Sequence, residues 1–268
     1  MYKQVSKLIV YRDLGEDSIL KRLAAIFEDF DWYKENVLGS SSAFSASKLE
    51  EMKDKKHISK ESLITRIYGE IKRLLDLATD YGFDHNLWHN YLAFYLVTNE
   101  NPFSITCEKV GANDGSVNHF AKNDFAVIKN LFDYDFSKIE ADLGIDCFSQ
   151  LSDYHSIQKK ELMYNKNVSE KIIALSAKLE AAEDVDAFFD AVTGFYKDYG
   201  VGMFGLNKAF RIKEKDEGDV EFVAINNMDK VMLDDLIGYE IQKKKLVDNT
   251  KAFVEGRAAN NVLLFGDS

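Results

Sequence analysis

The stretch NLWHNYLAFYLVT, residues 86–98, is apolar on nearly every side when wound as a helix. A surface helix shows one apolar stripe and gives the rest of its circumference to water. This one has no face to give, so the spacing predicts a central helix enclosed by other elements. The neighbouring sequence supplies them. Leu63, Ile64, Ile67, Ile71, Leu74, Leu75 and Ala78 share one face of a helix over about 60–80. Leu20, Leu23, Phe27 and Phe30 do the same in a helix capped by Asp17 or Ser18. The turn cluster GANDGS (111–116) precedes a helix through Phe120, Phe125, Ile128 and Leu131, with Ser116 as its expected cap. Two more helices fit about 168–182 and 185–199, the second carrying Phe188, Phe189, Val192, Phe195 and Tyr196.

Composition agrees with a helical body. Hydrophobic residues make up 46% of 268 positions, with 19 Phe and 13 Tyr, enough for a sizeable core, and the single proline, Pro102, leaves long helices uninterrupted. The formal net charge of −11 argues against broad binding to nucleic acid or an anionic membrane surface, both of which need a positive field. No apolar stretch approaches the roughly 20 residues that span a bilayer. Cys107 and Cys147 form no CxxC pair, and the opening MYKQVSKLIVYRD has no signal-peptide pattern, so a cytoplasmic protein is expected. GSSSAFSAS (39–47) reads as a mobile loop. The charged run KLEEMKDKKHISKE (48–61) reads as a solvated helix face.

Beyond residue 200 the texture changes. KAFRIKEKDEGDVEFVAIN (208–226) alternates apolar and polar residues on either side of Asp216–Glu217–Gly218, the pattern of a β-hairpin. After Asp234–Asp235–Leu236–Ile237–Gly238, a helix over about 239–254 places Leu246, Val247, Thr250, Phe253 and Val254 on one face. Gly256 is positioned to end it, and Val262–Leu263–Leu264–Phe265 reads as a buried parallel strand. Three regions follow from this reading: 1–200, a helical N-terminal domain; 201–231, a hairpin connector; and 232–268, a helix and strand that open an α/β domain.

That strand leads into Gly266, Asp267 and Ser268, which match the opening of G-x-x-x-x-G-K-[ST]. In that loop, backbone N–H groups wrap phosphates and the lysine neutralises charge. The segments LNKAFRI (206–212), LDDLIGYE (233–240) and NNVLLFGDS (260–268) resemble the bacterial domain-of-unknown-function 815 family of predicted AAA+ ATP-binding proteins. Gly238 and Gly266 stand 28 positions apart, room for one helix and one strand. The resemblance implies that Leu236, Ile237, Gly238 and Tyr239 lie by the adenine, and that Gly266, Asp267 and Ser268 meet phosphates through backbone N–H. It implies a parent protein that binds ATP and Mg2+, works as a ring homo-oligomer and couples hydrolysis to remodelling of a protein partner. The Walker A lysine and Walker B carboxylates would lie past Ser268. The chain is therefore expected to be the N-terminal piece of such an ATPase, inactive by itself and binding no nucleotide tightly. A non-enzymatic helical interaction module is the alternative.

Other constellations are weaker. His85 and His89 have the i, i+4 spacing of helical metal ligands, but Asn86 stands where a zincin needs glutamate. Cys107 with His119 or His155 has no local support as a nucleophile pair. QKKK (242–245) could meet phosphate, yet lysines opposite an apolar face usually serve solvation.

Overall fold

The computed structural model describes residues 1–38, 58–113, 115–156, 166–207, 209–214, 219–225 and 232–265. The expected loop at 39–47, most of the charged run after it, the hairpin turn at 216–218, and Gly266, Asp267 and Ser268 lie outside these. The chain divides into two compact units, Met1–Asn227 and Met228–Ser268.

The first unit is built on helices. After a short α1 (Tyr2–Val5) come α2 (Ile19–Tyr33), α3 (Lys60–Tyr81), α4 (Leu87–Thr98), α5 (Pro102–Val110) and α6 (Ser116–Phe132). Then follow α7 (Ser137–Leu143), α8 (Cys147–Ser152), α9 (Lys166–Glu180), α10 (Val185–Tyr199) and the short α11 (Gly202–Leu206). The central helix is α4. Its residues from Leu87 to Ala93 are all buried, with Tyr95, Leu96 and Val97, and it packs against α3, α6, α8, α9, α10 and α11.

Local chemistry sets the helix ends. Ser18 accepts from the Lys21 amide, Ser59 from Ser62, Asn86 from His89 and Asp184 from Ala187, so orphan N–H groups of α2, α3, α4 and α10 are satisfied by side chains. One expected cap is corrected: Ser116 is the first residue of α6 and Gly115 holds the cap position, with no side-chain bond. Helix α5 was not expected. Its signal is Asn101–Pro102: Asn101 accepts from the Ser104 amide while the Ser104 hydroxyl accepts from the Asn101 amide, and proline at the first helical position gives up no needed donor.

Two polar devices tie the N-terminal strap into this core. The fully buried carboxylate of Asp124, on α6, accepts from three successive amides, Ile9 (2.9 Å), Val10 (2.7 Å) and Tyr11 (2.9 Å). Beside it the Tyr11 hydroxyl lies 2.7 Å from that of Tyr196, which donates to the Leu96 carbonyl at 2.7 Å, while the Tyr95 hydroxyl donates to the Tyr11 carbonyl.

Burial pushes several acids upward: Cys107 and Cys147 to about 11, Tyr134 to about 12, and Tyr11, Tyr95 and Tyr196 further. Their neutral forms are favoured in the fold. The stability this gives is complete below the unfolded values, near 9 for thiol and 10 for phenol, and is lost as pH rises through the folded ones. The expected result is a melting temperature that falls steadily above about pH 9. A melting temperature unchanged from pH 8 to 11 would contradict it.

The hairpin is observed as β1 (Phe210–Glu214) and β2 (Val220–Ala224), antiparallel, with Ile212 opposite Phe222 and Glu214 opposite Val220. The rings of Phe204, Phe210 and Phe222 cluster, with Phe204 and Phe210 4.9 Å apart, and the outer part of that apolar face (Ile212, Val220) is exposed. Among the described residues no helix is long and apolar enough to cross a membrane.

The second unit contains a 3-10 turn (Leu233–Asp235) and α12 (Glu240–Val254). The strand expected at Val262–Phe265 is not formed. A strand exists through ladder hydrogen bonds, and no neighbouring strand pairs with this run among the described residues. Leu263 and Phe265 are 83% and 92% exposed, so the run is not the covered parallel strand its composition suggests. The face expected on α12 is likewise uncovered: Phe253 and Val254 are exposed and Leu246 and Val247 half-buried. The mainly helical class and the hairpin therefore stand, and among the described residues the hairpin is the only sheet.

Candidate functional site

The residues expected beside a base, Leu236, Ile237, Gly238 and Tyr239, form one turn between the 3-10 segment and α12. The turn begins with a local lock, since the Met232 amide donates to the Asp235 carboxylate at 2.7 Å. Two successive residues then take left-handed backbone, Gly238 at φ +88° and Tyr239 at φ +57°. Glycine adopts this freely. Tyr239 does so at a cost of roughly 1–2 kcal/mol, which the surrounding bonds must offset. A Cβ at Gly238 would meet nothing, so the glycine is required by conformation and not by crowding.

Those bonds come largely from Lys243. Its ammonium donates to the Leu236 carbonyl at 2.9 Å and pairs with Glu240 at 2.8 Å, and its side chain is only 17% exposed. The turn is thus closed from within α12, and it presents Ile237 (95% exposed) and Tyr239 (70%) outward. At the other end of the helix Gly256, at φ +68°, donates to the Phe253 carbonyl while Arg257 donates to Ala252. This 5→2 and 6→1 pair reverses the chain, as Gly256 was expected to do. Asn249 then exchanges two bonds with Asn260: its amide nitrogen donates to the Asn260 carbonyl at 2.8 Å, and its oxygen accepts from the Asn260 N–H at 2.9 Å. The apolar run 262–265 starts two residues later.

The structure brings Leu236, Ile237, Gly238 and Tyr239 together as one turn. Gly266, Asp267 and Ser268 fall outside the described residues. Of the QKKK lysines, Lys243 is committed to the turn, and Lys244 and Lys245 are exposed. Sequence reading missed the roles of Lys243 and Asn249; for Lys243 a signal was available, a lysine three residues after a helix-opening glutamate.

The remaining candidates are separated by the fold. His85 precedes α4, at φ +64°, and its backbone pairs with Tyr154, so the i, i+4 helical geometry with His89 does not exist. His89 is buried in the core, its Nε2 2.9 Å from the Phe132 carbonyl and its Nδ1 3.7 Å from Glu180. Among the described residues no group of three His, Cys, Asp or Glu side chains is placed to hold a metal ion. Cys107 is buried beside Tyr11 and Tyr196, and burial disfavours its thiolate, whereas His119 and His155 are exposed.

Residues 206–268 match the model of a family described as Protein of unknown function (DUF815). The matched stretch begins at Leu206, the buried last residue of α11, and takes in the hairpin, the Leu236–Tyr239 turn and α12. No curated protein and no solved structure shows significant similarity to the chain.

Proposed function

We propose that residues 232–268 are the opening of an ATP-binding P-loop module, and that the helical unit before them is an accessory domain. The longer protein would couple ATP binding and hydrolysis, with Mg2+, to remodelling of a protein partner, as a ring of identical subunits in the cytoplasm. The observation that carries this reading is the Leu236–Tyr239 turn. A strained backbone, an outward apolar pair and an internal lysine tether together make a preorganised apolar edge of the kind a purine ring can lie against. The order of parts supports it: turn, helix, glycine reversal, apolar run, then Gly266–Asp267–Ser268. In that reading Gly266, Asp267 and Ser268 meet phosphate through their amides, and a lysine and carboxylates further along the protein perform the chemistry.

The test has two arms. The coding sequence after Ser268 should specify two more residues and then Gly-Lys-Ser or Gly-Lys-Thr; a stop codon at that point would overturn the P-loop reading. The 268-residue chain, which contains no Walker A lysine, should release no phosphate from ATP above background. A sustained rate that disappears in Gly266→Val would also overturn it.

One observation favours a second reading, a non-enzymatic interaction module: the hairpin face at Ile212, Val220 and Phe222 is apolar and exposed. Loss of a partner on replacing Ile212 with aspartate, in a protein whose coding sequence stops at Ser268, would decide for it.

A further inference from the structure

Lysine is ordinarily a solvated side chain, and asparagine in a helix costs stability, so both must be explained where their polar atoms bond backbone beyond their own helix. On α12, Lys243 and Asn249 are six residues apart, about 9 Å along the axis. Each reaches backbone outside its own helix: Lys243 the Leu236 carbonyl, Asn249 both polar groups of Asn260. Lys243 does so while neutralised by Glu240, leaving it no free charge to offer a phosphate.

We infer that Lys243 and Asn249 are positioning residues for adenine nucleotide, holding from one helix the base-side turn and the start of the run that leads to the phosphate loop. The assignment rests on the reading of this segment as a nucleotide site. It adds that base contact depends on two side chains that never touch the nucleotide. Without the lysine tether, the turn loses the side-chain bond from α12 that helps offset the left-handed cost at Tyr239, and the apolar pair at 237 and 239 loses its orientation. Without the asparagine pair, the segment after Arg257 is released from α12.

The experiment uses the whole 268-residue chain, labelled with 15N, and follows the amide signals of Gly238 and Tyr239 during titration with ATP and, separately, with inorganic triphosphate. The wild-type signals should shift saturably with ATP and not with triphosphate. Lys243→Met should weaken that response about tenfold or more, and Lys243→Arg, which keeps a donor for both partners, should restore it to within about threefold. Asn249→Ala should speed exchange of the Asn260 amide about tenfold and weaken the ATP response in parallel. Circular dichroism melting of the helical unit should not move in any variant.

An ATP response in Lys243→Met equal to wild type would overturn the positioning role while leaving the nucleotide reading intact. An unresponsive wild type would overturn the nucleotide reading itself, and this assignment with it. A response in Lys243→Arg as weak as in Lys243→Met would overturn the tether as the cause.

Discussion

Asp124→Ala is expected to lower the melting midpoint of the Met1–Asn227 unit by about 8–16 °C. The carboxylate has no exposure, and it accepts from the amides of Ile9, Val10 and Tyr11 with a further bond from Asn123. Hydrogen bonds to an ionised acceptor contribute roughly 1.5–3 kcal/mol each. Their removal leaves the Tyr11 N–H buried and those of Ile9 and Val10 part-buried with no acceptor, and about 4 kcal/mol in total is the expected loss. The strap carrying those amides also brings Leu8 and Tyr11 into the core, both fully buried, so its release opens the contact between Tyr11 and Tyr196. Asp124→Asn retains one acceptor oxygen and should cost about half as much. Thermal melts of the three proteins at pH 7 check this, and a midpoint within about 2 °C of wild type for the alanine variant would show that the strap is held by packing alone.

Nothing in the sequence near Asp124 marks this role. The strap lies more than a hundred positions away, and an aspartate at a helical position reads as solvated by default. The parts that were legible are those governed by local periodicity. The all-round apolar stretch at 86–98 is the central helix, and the faces at Leu20–Phe30, Leu63–Ala78 and Phe188–Tyr196 are buried as their spacing requires. The hairpin was legible because alternation and a turn cluster are local signals as well. Reading failed where structure depends on partners distant in sequence. Val262–Phe265 has the composition of a strand, but a strand is a relation between segments, and in this chain nothing pairs with it among the described residues. Within the candidate site, the Gly238 turn and the Gly256 reversal could be read from glycine placement. The tethers by Lys243 and Asn249 could not, since they depend on which way two side chains leave a helix.

Gly205→Ala is the second large expected effect. In the stretch YGVGMFGL (199–206) the chain leaves α10, turns through Gly200 (φ +82°) and Gly202 (φ +72°), and re-enters helix α11 so closely that two backbone segments touch. A Cβ on Gly205 would lie 2.4 Å from the Gly200 carbonyl carbon and 2.9 Å from its oxygen. Backbone cannot swing aside as a side-chain end can, so the turn itself must open. Overpacking of this kind costs about 3 kcal/mol, or about 6–12 °C in the midpoint. Gly202 provides the contrast. Its Cβ would strike the Glu100 carboxylate at 1.8 Å, but that group ends a flexible side chain and can turn into solvent. What remains is the left-handed backbone, roughly 1–2 kcal/mol. The spacing G-x-G-x-x-G occurs here after a helix and not after a strand, and the Val201 amide in its middle donates to the Glu108 carboxylate at 3.1 Å, so the protein's own acid takes the place an anion would need. The turn therefore acts as a fixed exit. It sets the direction in which the chain passes from the helical core through Leu206, 2% exposed, into the hairpin, at the position where the family match begins. Melting of Gly205→Ala and Gly202→Ala beside wild type checks the order. A Gly205 variant as stable as the Gly202 variant would mean that the two backbone segments do not touch in solution.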